Sequence, residues 1–187
     1  GTDSESDEAL VARLYDFLQL PATSGNAYHY RQWAKEVNGV GEAKVFPLWN
    51  GAGTVKVVIV DQSFNPAEED VVTACADYIE KNRPIGAEVT VVSATKLTVS
   101  ISATVKISGN TSKERVEQDF SEKVHQYIKD VAFVGKELIY NRISALLMEV
   151  DGVIDYTALT LNGKTQSVAL TDDQVPIIET VVISLAP

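Results

Sequence analysis

Residues 97–107 alternate without a fault. Leu97, Val99, Ile101, Ala103, Val105 and Ile107 share one parity, while Thr98, Ser100, Ser102, Thr104 and Lys106 share the other. Successive side chains of a strand point to opposite faces, so this run reads as a strand with one apolar and one polar face. It predicts an antiparallel sheet whose second face is wet, or is covered by something polar.

The rest of the chain supplies helices and further strands to pair with it. A first helix is predicted from about Ser6 to Leu18, with Leu10, Leu14, Phe17 and Leu18 at helical spacing. Pro21 and Gly25 then break the chain. A second helix, Asn26 to Val37, places Tyr30, Trp33, Ala34 and Val37 on one face and stops at Asn38-Gly39, a pair suited to a left-handed cap. Strands follow at Val40 to Leu48 and Thr54 to Val60, turned by Asn50-Gly51-Ala52-Gly53.

Asn65-Pro66-Ala67-Glu68 predicts a helix start, with Asn as cap and Pro at the first helical position. That helix turns Val71, Val72, Cys75, Tyr78 and Ile79 inward and ends before Pro84. A strand at Ala87 to Ser93 precedes the alternating one. Thr111 and Glu114 have capping-box spacing, opening a helix that buries Val116, Phe120, Val124, Tyr127 and Ile128. A helix from Glu137 to Glu149 is expected to bury Ile139, Ile143, Leu146 and Leu147. Strands at Val153 to Leu161 and Gln166 to Leu170 flank an Asn162-Gly163 hairpin turn, and Val175 to Leu185 forms a last strand. The expected class is α+β: N-terminal helices, then two related α/β units with mainly antiparallel sheets. The expected divisions are 1–24, 25–94 and 95–187.

One motif occurs twice. Glu36-Val37-Asn38-Gly39-Val40 and Glu149-Val150-Asp151-Gly152-Val153 differ only by Asn for Asp, and each ends a predicted helix and begins a strand. The chemistry is local: Val enters the core, Asn or Asp tolerates a strained cap, and Gly supplies positive φ. An Asn-Gly turn follows each, at Asn50-Gly51 and Asn162-Gly163. The matching order predicts an internal duplication of residues 26–60 and 139–171, and a difference in strand order would overturn it.

Composition narrows the function. A formal charge of −10 and no cluster of Lys or Arg exclude general nucleic-acid binding, which needs clustered cations to neutralise phosphate. No run approaches the roughly 18 apolar residues that span a bilayer. The acidic start, Gly1 to Glu8, has neither the basic nor the apolar segment of a secretory signal. With no initiator Met, it reads as a domain boundary with more chain expected upstream. The single cysteine, Cys75, rules out an intramolecular disulfide and a multi-Cys metal site; it sits in an apolar helical stripe as a small hydrophobe.

Recognisable catalytic patterns are missing. Gly51-Ala52-Gly53 precedes a strand, whereas a dinucleotide fingerprint must open a helix. His29, beside Tyr28, Tyr30 and Trp33, reads as a partly exposed helix residue, with an aromatic binding patch as the alternative; His125 has no ligand at metal spacing, and neither histidine has a nucleophile partner. Asp61 ends a strand, where α/β enzymes often hold an acid, but there it more commonly caps the turn. Glu68-Glu69-Asp70 is an acidic first turn, and Asn110-Thr111-Ser112 is a turn and cap. No catalytic residue, cofactor or metal ligand is therefore assigned. Tyr28, Tyr30 and Trp49 are candidate contact aromatics, with ordinary core placement as the plainer reading.

A longer ordered set of residues goes further. Gly25-Asn26 opens a helix reaching Ala34-x-Glu36-Val37-x-Gly39-Val40, followed by Val45-x-Pro47-x-Trp49-x-Gly51-x-Gly53-Thr54-Val55 and Val60-Asp61. Arg83-Pro84-Ile85-Gly86-Ala87-x-Val89, Asp151-Gly152-Val153 and Asp172-Asp173-Gln174-Val175-Pro176 come later. The set resembles the baseplate J-like family, wedge proteins of contractile-tailed bacteriophages and prophage particles, from about Glu8 to Pro176. The family's N-terminal β-rich part has no counterpart, so a C-terminal portion is expected.

The resemblance implies a structural wedge subunit that links receptor binding to sheath contraction. Its partners would be other baseplate wedge and hub proteins, with itself as a further candidate, and neither nucleic acid nor membrane. Its place would be the virion tail baseplate, after assembly in the bacterial cytoplasm. The alternative is a small α/β enzyme or ligand-binding module in which Asp61, His29 and the hairpin loop converge on one pocket. A secretion-machine scaffold built of the same modules is a third possibility.

Overall fold

In the computed structural model, which describes residues 6, 7, 10, 11, 14, 15, 25–134 and 136–186, the chain divides after Ser93 into two units. The predicted Ser6 to Leu18 helix lies mostly outside the described residues; Asp7, Leu10, Val11, Leu14 and Tyr15 are helical.

In the first unit, the Asn26 side chain accepts from the His29 N–H at 2.9 Å and opens α1, Ala27–Glu36. Strands β1, Val40–Pro47, and β2, Thr54–Asp61, form an antiparallel hairpin. Helix α2, Glu69–Asn82, then carries the chain across to β3, Glu88–Ser93, which runs parallel to β2. The order is β1-β2-β3. Central β2 is buried at four successive residues, Val57 to Val60, which is why it reads as an unbroken β-branched run. Tyr30, Trp33 and Ala34 from α1 and Cys75 and Ile79 from α2 pack with Val57 and Ile59 to make the core.

The alternating run is β4, Thr95–Ile107, the centre of a sheet ordered β6-β4-β8 in the second unit. Strand β5, Glu137–Leu138, and β7, Val168–Ala169, make a small separate antiparallel pair. Strand β6, Val153–Leu161, is antiparallel to β4, and β8, Gln174–Leu185, is parallel to it. Helix α3, Lys113–Val131, and α4, Tyr140–Met148, cover the apolar face. Val99, Ile101 and Val105 meet Val116, Phe120 and Val124 of α3 and Ile143 and Leu147 of α4 there. A side chain such as Phe120, fully buried, contributes about 1.5–3 kcal/mol.

Several expectations need correction. Both main sheets are mixed, because β3 and β8 arrive parallel to their neighbours. The helix foreseen at Asn65 begins instead after Glu68; the Asn65 carbonyl accepts from the Asp61 N–H, and Pro66 bridges Val60. The cap of α3 is Ser112, one residue beyond Thr111, accepting from Arg115 N–H at 3.3 Å. Ile139 is an exposed N-cap because residues 137 and 138 pair as a strand. The Asn162-Gly163 turn exists, with both residues at positive φ, but only a Leu161–Lys164 bridge follows it, since β7 pairs with β5.

The predicted duplication fails on strand order. In the first unit β1 pairs with the strand that follows it; in the second, β6 pairs with β4, which precedes it. What recurs is the joint itself. Gly39 and Gly152 have φ of +95° and +89°, and each is crowded as well. A Cβ on Gly39 would lie 3.0 Å from Val71 Cγ2, and one on Gly152 would lie 2.5 Å from Thr111 Cγ2.

Candidate interaction surfaces

Asp61 and His29 do not form a catalytic pair. One Asp61 carboxylate oxygen accepts from the N–H groups of Ser63 and Asn65, both at 2.8 Å, so Asp61 closes the turn after β2. His29 accepts from the Gly25 N–H through Nδ1 at 3.2 Å, and its ring lies 3.9 Å from that of Trp33. Each group is engaged by its own neighbourhood. His125 Nδ1 lies 2.7 Å from the Ser121 carbonyl oxygen, an ordinary one-turn helix contact. Cys75 is buried, and burial pushes its thiol up to about 11, so it is inert at neutral pH. Among the described residues no three His, Cys, Asp or Glu side chains gather as metal ligands.

The first unit does have a charged cluster, and it is structural. Glu42 on β1 takes two bonds of 2.7 Å from the Arg31 guanidinium, a 3.2 Å contact from Lys35 Nζ and a 2.8 Å bond from the Ala43 N–H. Burial pushes its carboxyl upward, but Arg31, Lys35 and the Ala43 amide together hold it below the usual carboxylate range. The arrangement ties α1 to β1.

The three candidate aromatics divide. Tyr30 is core, 2% exposed, with its ring edge-on to Trp33. Tyr28 and Trp49 are 46% and 45% exposed. Trp49 sits at the β1–β2 hairpin tip beside Leu48, which is exposed and held at a φ of +58°. The tip is well braced: Leu48 N–H donates to the Thr54 carbonyl at 2.7 Å, and the Thr54 hydroxyl donates to the Gly51 carbonyl and accepts from the Asn50 N–H. The loop bearing exposed Ile85 adjoins it, with Glu88 N–H bonded to the Gly53 carbonyl. Lys56 Nζ lies 5.8 Å from the Trp49 ring centre.

Sequence reasoning missed a groove in the second unit. It is a cavity of about 410 Å³ between α3 and β8. Its helix wall includes Glu114, Glu117, Ser121 and His125, which recur at helical spacing beside the buried stripe. Its strand wall is Ile178 to Val181, four consecutive residues, so the groove meets the edge of β8 and not one face alone. Glu179 is the extra residue of a bulge: Ile178 pairs with Val99 and Thr180 with Ser100. The bulge resets the parity, so Ile178 and Val181 both face the core. The helical periodicity of α3 gave its buried side but neither wall of the groove, because nothing local in sequence sets β8 beside it.

Comparisons with known proteins agree on one group. Residues 22–93 match the family described as Baseplate J-like central domain, and residues 99–184 match Baseplate J-like protein C-terminal domain. The chain is 37% identical over 183 residues to "Phage-like element PBSX protein XkdT" of Bacillus subtilis (strain 168), covering 94% of this chain and 53% of that protein. It is 45% identical over 82 residues to "Baseplate protein gp47" of Escherichia phage Mu, covering 42% of this chain and 22% of that one. The chain thus spans about half the length of the PBSX relative. A chain in the cryo-EM structure of the anti-feeding prophage baseplate shares the fold, with a TM-score of 0.60 at 13% identity over 95% of this chain and 42% of that one.

Proposed function

Because this chain belongs to the baseplate J-like family, we propose that it is a structural part of a phage-type tail baseplate wedge, assembling with other wedge and hub proteins and acting without catalysis, cofactor or metal. The observation that carries this reading is the succession of the two family domains, in order, along most of the chain. The braced hairpin tip supports it, because Trp49 and Leu48 are presented outward by a turn too well bonded to collapse inward. Tyr28 and Trp49 are the contact anchors in this reading, since exposed aromatics are enriched among residues that dominate binding energy. Assembly takes place in the bacterial cytoplasm, and the working location is the virion tail. No helix among the described residues is long and apolar enough to cross a membrane.

Mass spectrometry of purified tail particles from the source cells tests the assignment. The expected result is this chain's peptides in fixed ratio to other tail proteins, with tails lost on deleting the gene. Intact contractile tails without the gene would overturn it. Trp49→Ala is expected to leave the unit folded while reducing incorporation into particles.

A further inference from the structure

Strand β8 has β4 on one side and, among the described residues, no strand on the other. Proteins normally blunt such edges with proline, charge or a bulge, because open backbone groups recruit foreign strands. The first half of β8 is treated in this way. Pro176 has no N–H to offer, and Glu179 is bulged. The second half is not. Thr180 to Leu185 contains no charge, proline or glycine, is mostly β-branched, and leaves Val182 and Leu185 each 49% exposed.

The open edge starts where the groove with α3 lies. Glu114, Glu117 and Glu179 line that groove, and no Lys or Arg does. Among the described residues neither the Glu117 nor the Glu179 side chain makes a hydrogen bond or ion pair. The Glu114 carboxyl is held below its usual range by its own backbone N–H and by the Ser112 hydroxyl. The groove therefore presents negative charge beside unpaired backbone donors and acceptors.

We propose that β8 and α3 form a docking groove for an extended segment of another protein, which adds to β8 as a strand and sets Lys or Arg against Glu117 and Glu179. An extended segment fits because only a strand brings free N–H and C=O groups to an edge; a helix has already bonded its own. Charge selects the segment. A second copy of this chain is disfavoured, since it carries a formal charge of −10 toward carboxylates. The groove is a property of the second unit alone, so it is tested without any tail particle.

The probe is a fluorescein-labelled peptide, Lys-Val-Thr-Val-Thr-Val-Thr, titrated into the full chain by anisotropy. Three controls accompany it: the same peptide with Glu for Lys, one with alternate residues N-methylated, and the variant E117K/E179K. Binding is expected to weaken about tenfold with the Glu peptide, to be lost with the N-methylated one, and to reverse its charge preference in the variant. Hydrogen exchange should show the alternate amides of residues 180–185 that do not bond β4 gaining protection on binding. Three results would overturn the proposal. These are absence of binding, binding indifferent to N-methylation, and a dimer by sedimentation in which hydrogen exchange finds the outer edge of β8 already protected.

Discussion

At the scale of single residues, the two joint glycines are constrained twice, by backbone and by neighbours. Gly39→Ala is expected to cost about 2 kcal/mol and Gly152→Ala about 3, because a Cβ at 152 would also press on backbone-anchored Thr111. Urea denaturation checks both values, and Thr111→Ser should recover part of the second loss by removing the methyl that Ala meets. Glu42 sets a pH limit. Its folded pKa is lowered, so its contribution is complete above the ordinary carboxylate range and is lost as pH falls through the depressed value. Glu42→Gln should cost about 2 kcal/mol near neutral pH and flatten the acid side of the stability profile. The glycines were legible in sequence because positive φ leaves a local signature. The Glu42 cluster was not, because a strand carboxylate and two helix cations announce no mutual distance.

At the scale of elements, β4 shows how far periodicity reaches. Its alternation fixed the strand and its two faces: Val99, Ile101 and Val105 are buried, while Ser102 and Lys106 are exposed. It gave neither the parallel neighbour β8 nor the bulge, since pairing is non-local. That bulge makes a sharp comparison possible. Deleting Glu179 removes only the unpaired residue and keeps every later side chain on its face, so stability should change by less than about 1 kcal/mol. Deleting Val182 moves fully buried Ile183 to the exposed face and Ser184 into the core, and should cost more than about 3 kcal/mol. Denaturant titration of the two deletions decides it. The misplaced start of α2 has a similar lesson. Asn65 and Pro66 have good capping chemistry, but the Asp61 turn uses that backbone first. The candidate contact surfaces were half legible for the same reason: Tyr28 and Tyr30 are two residues apart, and only the helix phase separates surface from core.

At the scale of the whole molecule, the two units close on different schedules. The first needs nothing beyond β3: its hairpin and crossover bring β1, β2 and β3 together within Val40 to Ser93. In the second unit, β4 begins at Thr95 and its parallel partner β8 only at Gln174. Pairings so distant in sequence are slow, because loop entropy is lost before contacts repay it. Pulse-labelled hydrogen exchange during refolding should therefore protect amides of β2 before those of β4 and β8; simultaneous protection would contradict this. The parallel pairing of β4 with β8 also has a consequence during synthesis. While the ribosome is still making residues 174–185, β4 waits with one flank open and its apolar face incompletely walled. A nascent chain at that stage is exposed to chaperones and to premature association, and the pairing of residues 174–185 with β4 ends the hazard.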